Sequence, residues 1–198
     1  MGRPISYLKA VVICHGKSEK QICDFIKSNL RIKIESHSDK HGGKCIQITS
    51  VMKTLNSMIF KSFNNFVKIY DDVEICYNKK KKCLSSNFKI FIIMDTDDCT
   101  PLQKEYFINK QMFKDHWAYS YIVPIYNNKN LEDVLVTSNI KFEKKGSERK
   151  KEYIKIFPTD DKYLKKDSLQ LQEFCEQLIN NDRTNMDEFI KFCLDCCV

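Results

Sequence analysis

Short apolar runs alternate along the chain with stretches whose apolar residues recur at helical spacing. Tyr7–Cys14 (YLKAVVIC) is the first run and stops at His15-Gly16. From Ser18 to about Leu30, Ile22, Phe25, Ile26 and Leu30 follow at three- and four-residue steps. This predicts strand, tight turn and amphipathic helix, with Ser18 as N-cap and Gln21 closing a capping box. Arg31–Ser36 alternates like a half-buried strand, and Ser36–Lys44 is a polar loop with His37 and His41. Ile48, Val51, Met52, Leu55, Ile59 and Phe63 fall on one face of a helix expected over about Ile46–Phe66. Asn64–Ser86 is weakly patterned and reads as a second short helix or as an excursion with Lys79–Lys82 at its tip.

Phe88–Met94 is the most apolar run, as expected of a strand buried on both faces in a parallel sheet. An acidic turn, Asp95–Thr100, closes it. Pro101 suits the first turn of the next helix, which is expected to bury Leu102, Tyr106 and Phe107 and to end near Phe113. Tyr119–Ile125 reads as a strand whose Pro124 implies an edge position or the strand's last residues. Asn127–Asn130 is a turn, and Leu131–Thr137 a helix carrying Glu132 and Asp133. Beyond it lie a charged loop over Gly146–Lys151, an irregular stretch over Lys155–Leu164, and amphipathic helices over Ser168–Ile179 and Asp187–Cys196. The alternation predicts one α/β domain with a mostly parallel sheet flanked by helices. Its core would span about residues 6–138, with the basic loop and C-terminal helices over about 139–198.

Composition narrows the class. At 198 residues, 42% hydrophobic and 30% charged, the chain suits one globular domain. No run of eighteen apolar residues predicts a membrane span, and Met1–Tyr7 lacks a secretory pattern. The ten cysteines are irregularly spaced. Cys14 and Cys23 fall where a thiol packs as a small hydrophobe, and Cys193-Leu-Asp-Cys196 has no second zinc-type pair. A reducing, cytoplasmic setting is expected. The net charge of +7, from 33 basic against 26 acidic residues, favours polyanionic partners such as nucleic acid.

The candidate chemistry lies at two strand ends. One supplies Asp95, Asp97 and Asp98; the other supplies His15, Gly16, Lys17 and Glu19. Carboxylates at the C-terminal end of a central strand lie where open α/β sheets place ligands. Three acids within four residues repel one another unless water screens them or a cation sits among them. Mg²⁺ takes oxygen ligands and keeps several waters, so two or three carboxylates suffice. Such an ion would neutralise phosphate oxygens and activate water. Gly16 would let backbone approach a phosphate beside a helix N-terminus, and Lys17 could pair with one. The competing reading makes these acids helix caps and solvated turn residues.

Val11–Glu19 (VVICHGKSE) together with Ile93–Asp98 (IMDTDD) resembles the Toprim domain, and more closely its RloB-like abortive-infection family. Asn127–Asp133 (NNKNLED) is similar to that family's third motif, with Glu132 at the acid. The resemblance covers about Val11 to Leu135. It implies a Toprim-like (Rossmannoid) fold and an Mg²⁺- or Mn²⁺-dependent nuclease acting on DNA or RNA in phage defence, beside a partner ATPase or other defence protein. It further implies His15, Glu19, Asp95 and Asp97 as catalytic residues, Gly16 and Lys17 as substrate contacts, and Asp95, Asp97, Asp98 and Glu132 as metal ligands. One departure stands out: where the family has glutamate before the glycine, this chain has His15. Histidine moves protons near neutral pH but supplies no hard anionic oxygen to Mg²⁺. A module that binds without cleaving is therefore the alternative. A receiver-like Mg²⁺-binding signalling domain is a further one, although the first strand ends in His-Gly rather than in an acid pair. The chain itself has no GxxxxGK[ST] motif. The Toprim-like reading requires His15 and Asp95 within about 8 Å at adjacent strand ends.

Overall fold

The computed structural model describes residues 6–39, 44–57, 59–140 and 168–197. The Gly146–Lys151 loop, the Lys155–Leu164 stretch and His41 lie outside them. The elements run β1 (Ala10–Cys14), α1 (Lys17–Leu30), β2 (Ile34–His37), a 3₁₀ turn (Ile48–Ser50), α2 (Val51–Leu55), α3 (Phe63–Ile69), β3 (Ile75–Asn78), β4 (Lys81–Leu84) and β5 (Lys89–Asp95). Then follow α4 (Pro101–Ile108), a 3₁₀ turn (Gln111–Phe113), β6 (Ile122–Asn127), α5 (Leu131–Thr137), α6 (Leu169–Ile179) and α7 (Met186–Asp195). No helix among the described residues is long and apolar enough to cross a membrane.

The main sheet has the order β2-β1-β5-β6, and every pairing in it is parallel. From β1 the chain moves outward to β2; from β5 it moves outward the other way to β6. The strand order therefore reverses between β1 and β5, the place where doubly wound sheets hold their ligands. Alternate residues of the two central strands supply the two faces. Ala10, Val12, Cys14, Phe91 and Ile93 pack under α1, α5, α6 and α7, where Phe91 meets Phe189 and Phe192 at 5.0 Å between ring centroids. Val11, Ile13, Ile90, Ile92 and Met94 face the other layer, built around Phe66, Phe107 and Phe113. Each such fully buried side chain contributes about 1.5–3 kcal/mol.

Several expectations are met. Phe88–Met94 becomes an interior strand, and Pro124 lies on edge strand β6. Cys14 and Cys23 are fully buried. Others are corrected. The helix over Ile46–Phe66 is broken into the 3₁₀ turn, α2 and α3: Asn56 caps the first piece, and the Ser62 hydroxyl accepts from the Asn65 N–H to start the second. Of the expected apolar face, Ile48, Val51 and Leu55 are buried and Met52, Ile59 and Phe63 pack half-buried against the same core, but the helix carrying them is not continuous. The expected buried face of α4 reduces to Phe107, because Leu102 and Tyr106 are 58% and 45% exposed. Lys110, at φ 65°, separates that helix from the turn that buries Phe113.

Lys79–Lys82 does sit at the tip of an excursion, the antiparallel hairpin β3–β4. Its two-residue turn holds Lys79 at φ 46° and Lys80 at φ 70°. Positive φ at both central positions is the type I′ pattern that Asn-Gly satisfies and that a Cβ-bearing lysine opposes. Relief of left-handed strain at two positions, less the extra chain entropy of glycine, should make the double substitution Lys79→Asn/Lys80→Gly stabilising by about 0.5–1 kcal/mol, read as a rise in the urea midpoint; an unchanged or lower midpoint contradicts the turn assignment.

Candidate functional site

β1 and β5 pair in register from Ala10–Lys89 to Cys14–Ile93, and the His15 N–H continues the ladder to the Ile93 carbonyl at 2.8 Å. This pairing brings the two sequence motifs together. His15 Nε2 lies 3.9 Å from Asp95 Oδ2, an ion-pair distance when the imidazole is protonated and too long for a hydrogen bond. The required approach of about 8 Å is met with room to spare.

Glu19 joins them from α1. Gly16, not Ser18, is the N-cap, and Glu19 at the third helical position accepts from the Gly16 N–H at 2.9 Å. The expected Ser18–Gln21 box is thus displaced by two residues. Glutamate has the reach to return to the cap, and its charge suits a helix N-terminus. A Cβ at Gly16 would meet Glu19 Oε2 at 3.4 Å and Cys45 Sγ at 3.6 Å, so this glycine lies under side chains. Lys17 is exposed beside it.

Asp95 is the last residue of β5 and is 6% exposed. Its Oδ1 accepts from Asn127 Nδ2 at 3.0 Å across the β5–β6 register pair. Asn127 is fully buried, and its own Oδ1 is 3.0 Å from the Thr184 hydroxyl. The turn after β5 is tied to the turn after β6, since the Thr96 and Asp97 N–H groups both donate to the Lys129 carbonyl. None of the acids caps α4; Thr100 does so, in a reciprocal box with Gln103.

The electrostatics follow from burial. Desolvation, with Asp95 adding to it, pushes the Glu19 carboxyl up to about 7. Desolvation, with Glu132 and Asp97 adding to it and Asn127 opposing, pushes Asp95 up to about 7. Asp98 is raised by burial too, while His15 draws it down. Its carboxylate oxygens and His15 Nδ1 are buried with no hydrogen-bond partner of regular geometry. The nearby Gln47 amide lowers the Asp98 pKa without making such a bond.

The structure therefore gathers His15, Glu19 and Asp95, with Asp98 next to His15 and Glu132 close enough to act on Asp95. It does not gather Asp95, Asp97, Asp98 and Glu132 into a common cage. Asp97 is exposed, and among the described residues no three His, Cys, Asp or Glu side chains form a ready metal-binding group. The donors nonetheless fit a cation of the Mg²⁺ or Mn²⁺ kind, which binds through one or two carboxylates and keeps its other positions for water and phosphate. The unpartnered Asp98 oxygens are the observation behind that fit, while the unpartnered His15 Nδ1 suits Mn²⁺ and not Mg²⁺. Sequence reasoning missed Asn127 and Thr184. Asn127 reads as a turn residue, and only its place directly after an apolar strand, level with Asp95, hints at burial.

Beside the site a cavity of about 410 Å³ opens between the end of β2 and α2, lined by His37, Cys45, Ser50, Lys53, Thr54 and Phe60 among others. It adjoins the site through the Ile46 N–H, which donates to the His15 carbonyl at 2.7 Å. His37, expected as a loop residue, ends β2 and bonds Tyr70. No family model, curated protein or solved structure matches the chain.

The two raised carboxyls fix the sign of a pH effect. Both hold protons more tightly folded than unfolded, so the stability tied to them is present below about pH 4 and is lost as pH rises through about 7. Between pH 5.5 and 8, wild type should lose stability relative to Glu19→Gln or Asp95→Asn by on the order of 2–4 kcal/mol. Denaturant unfolding at both pH values measures it, and parallel pH profiles would contradict the buried acidic pair.

Proposed function

We propose that this chain is a Toprim-like nuclease that cleaves nucleic acid phosphodiesters with a divalent cation, acting in the cytoplasm in RloB-like phage defence. The observation that carries the reading is the meeting of His15, Glu19 and Asp95 at the β1–β5 reversal, with both carboxyls near neutral pKa. The order of the three sequence motifs supports the family, and the net charge of +7 supports a nucleic acid substrate. A partner ATPase or other defence protein follows from the resemblance.

Bound Mg²⁺ or Mn²⁺ would offset the buried negative charge and polarise a phosphate or its attacking water. Asp95, oriented by Asn127, would be the principal ligand. Glu19, which holds the Gly16 turn, would share the ion's charge. His15 carries a proton at Nε2 to or from the reacting oxygens, and its imidazole tolerates Mn²⁺ better than Mg²⁺. The exposed Lys17 would pair with a phosphate, and Asp98 and Glu132 would add negative charge near the ion, with Asp97 farther out in solvent. The second reading, a module that binds without cleaving, draws on the exposure of Asp97 and on the lack, among the described residues, of a ready group of three donors.

Labelled single- and double-stranded DNA and RNA, with Mg²⁺ or Mn²⁺, separate the two. Cleavage should be faster with Mn²⁺ and fall at least about 100-fold in Asp95→Asn and in His15→Ala. Undiminished cleavage by Asp95→Asn would sink the assignment, and binding without cleavage under every condition would select the second reading. Mn²⁺ should also raise the melting temperature of wild type at pH 8 but not of Asp95→Asn; equal shifts in both place the ion elsewhere.

A further inference from the structure

The β3–β4 hairpin lies far from the acids. Its base joins the N-terminal ends of the sheet strands: the Leu8 N–H donates to the Asp72 carbonyl at 2.9 Å, and the Leu84 N–H to the Tyr121 hydroxyl at 3.1 Å. Tyr121 leads into β6, and its carbonyl accepts from the Ile90 N–H at the start of β5. The candidate site is at the other end of the same strands. Seven residues of β5 at about 3.3 Å each separate the two by roughly 20 Å.

Four consecutive lysines occupy this hairpin, and folding does not call for them. Lys79 and Lys80 hold the left-handed turn that glycine or asparagine would take more readily. Lys81 and Lys82 sit opposite Asn78 and Tyr77, so no acid faces them across the pair. Residues 77–82 are all exposed, and Tyr77 is 70% exposed on the strand face it shares with Ile75, itself 41% exposed. At the same end, Lys110 is unfavourably close to Lys89. A cluster of lysines at a hairpin tip, with the exposed Tyr77 ring paired across the strands with Lys82, offers cations to phosphates and a flat face to an unstacked base.

We propose that the β3–β4 hairpin is a grip for single-stranded nucleic acid, in which Lys79–Lys82 hold phosphates and Tyr77 stacks on a base, at the end of the sheet opposite the acidic site. This deepens the nuclease reading by giving the substrate a second hold outside the cleft, yet its test is separate because it needs no cation.

Fluorescein-labelled 20-nucleotide oligo-dT and oligo-U are titrated with the full chain in EDTA over a range of KCl, with fluorescence anisotropy as the readout. Lys79→Asn/Lys80→Gly, chosen because it favours the turn, should weaken binding at least fivefold at low salt. It should also lower the slope of log K against log salt by about 1.4, since each neutralised single-strand phosphate contributes about 0.7. Tyr77→Ala should cost at least about fivefold, and Tyr77→Phe should bind as wild type does. Absence of binding by wild type, or either the lysine variant or Tyr77→Ala binding unchanged, overturns the proposal. So does displacement of the oligonucleotide by polyglutamate at equal charge concentration, which would assign the hairpin to an acidic protein partner. Binding without cleavage keeps the grip and removes the nuclease reading; cleavage with binding indifferent to the hairpin variants does the reverse.

Discussion

Glu19 and Asp95 are held under protein where two neighbouring strands end, and water cannot screen the charge they carry there. That placement is not locally favourable. It is imposed by the pairing of β1 with β5, which is itself held by apolar side chains on both faces of the sheet. The core thus holds two carboxylates in a place they would leave if the strands could separate. Near neutral pH such a pair has two ways to relieve itself, by taking up a proton or by taking up a cation. His15 adds a third group that can supply or remove that proton. The chemical potential of the site lies in this frustration more than in any finished set of ligands.

Much of the frame was legible in the sequence because its signals are redundant. An apolar run bounded by acids marked β5, and a run ending in His-Gly followed by helical spacing marked β1 and α1. Pro124 marked the edge. Less was legible where one residue type serves two structures equally well. The apolar face over Ile48–Phe66 is real, but spacing alone cannot tell one helix from two short ones whose faces align across a break. Ser18 looks a better cap than Gly16, yet Glu19 reaches back to the glycine N–H and decides the matter. Leu102 and Tyr106 hold helical spacing with Phe107 and still face solvent, since periodicity does not reveal which elements arrive to cover a face.

For the site, the two motifs met as expected, but the distribution of carboxylates did not follow their order in the sequence. β5 ends at Asp95 and the chain turns, so the two-residue alternation that would set Asp97 beside Asp95 is lost: Asp95 is buried against His15, Asp97 is exposed, and Asp98 comes back near the same histidine. The residue that touches Asp95 is Asn127, brought there by parallel register with β6. Register across strands is long-range information, and no local pattern carries it.

The same asparagine gives the end of the chain a stake in the centre. Thr184 stands against Asn127, and Asn185 bridges the Tyr126 N–H and the Pro124 carbonyl along the outer side of β6. The turn between α6 and α7 therefore clasps the last strand much as a short extra strand would, and seals an edge that could otherwise recruit another chain. Through Asn127 the clasp reaches one oxygen of Asp95. A displacement of the two final helices would change how firmly the Asn127 amide holds that oxygen, which makes the C-terminal hairpin a lever on the acid rather than a lid on the fold.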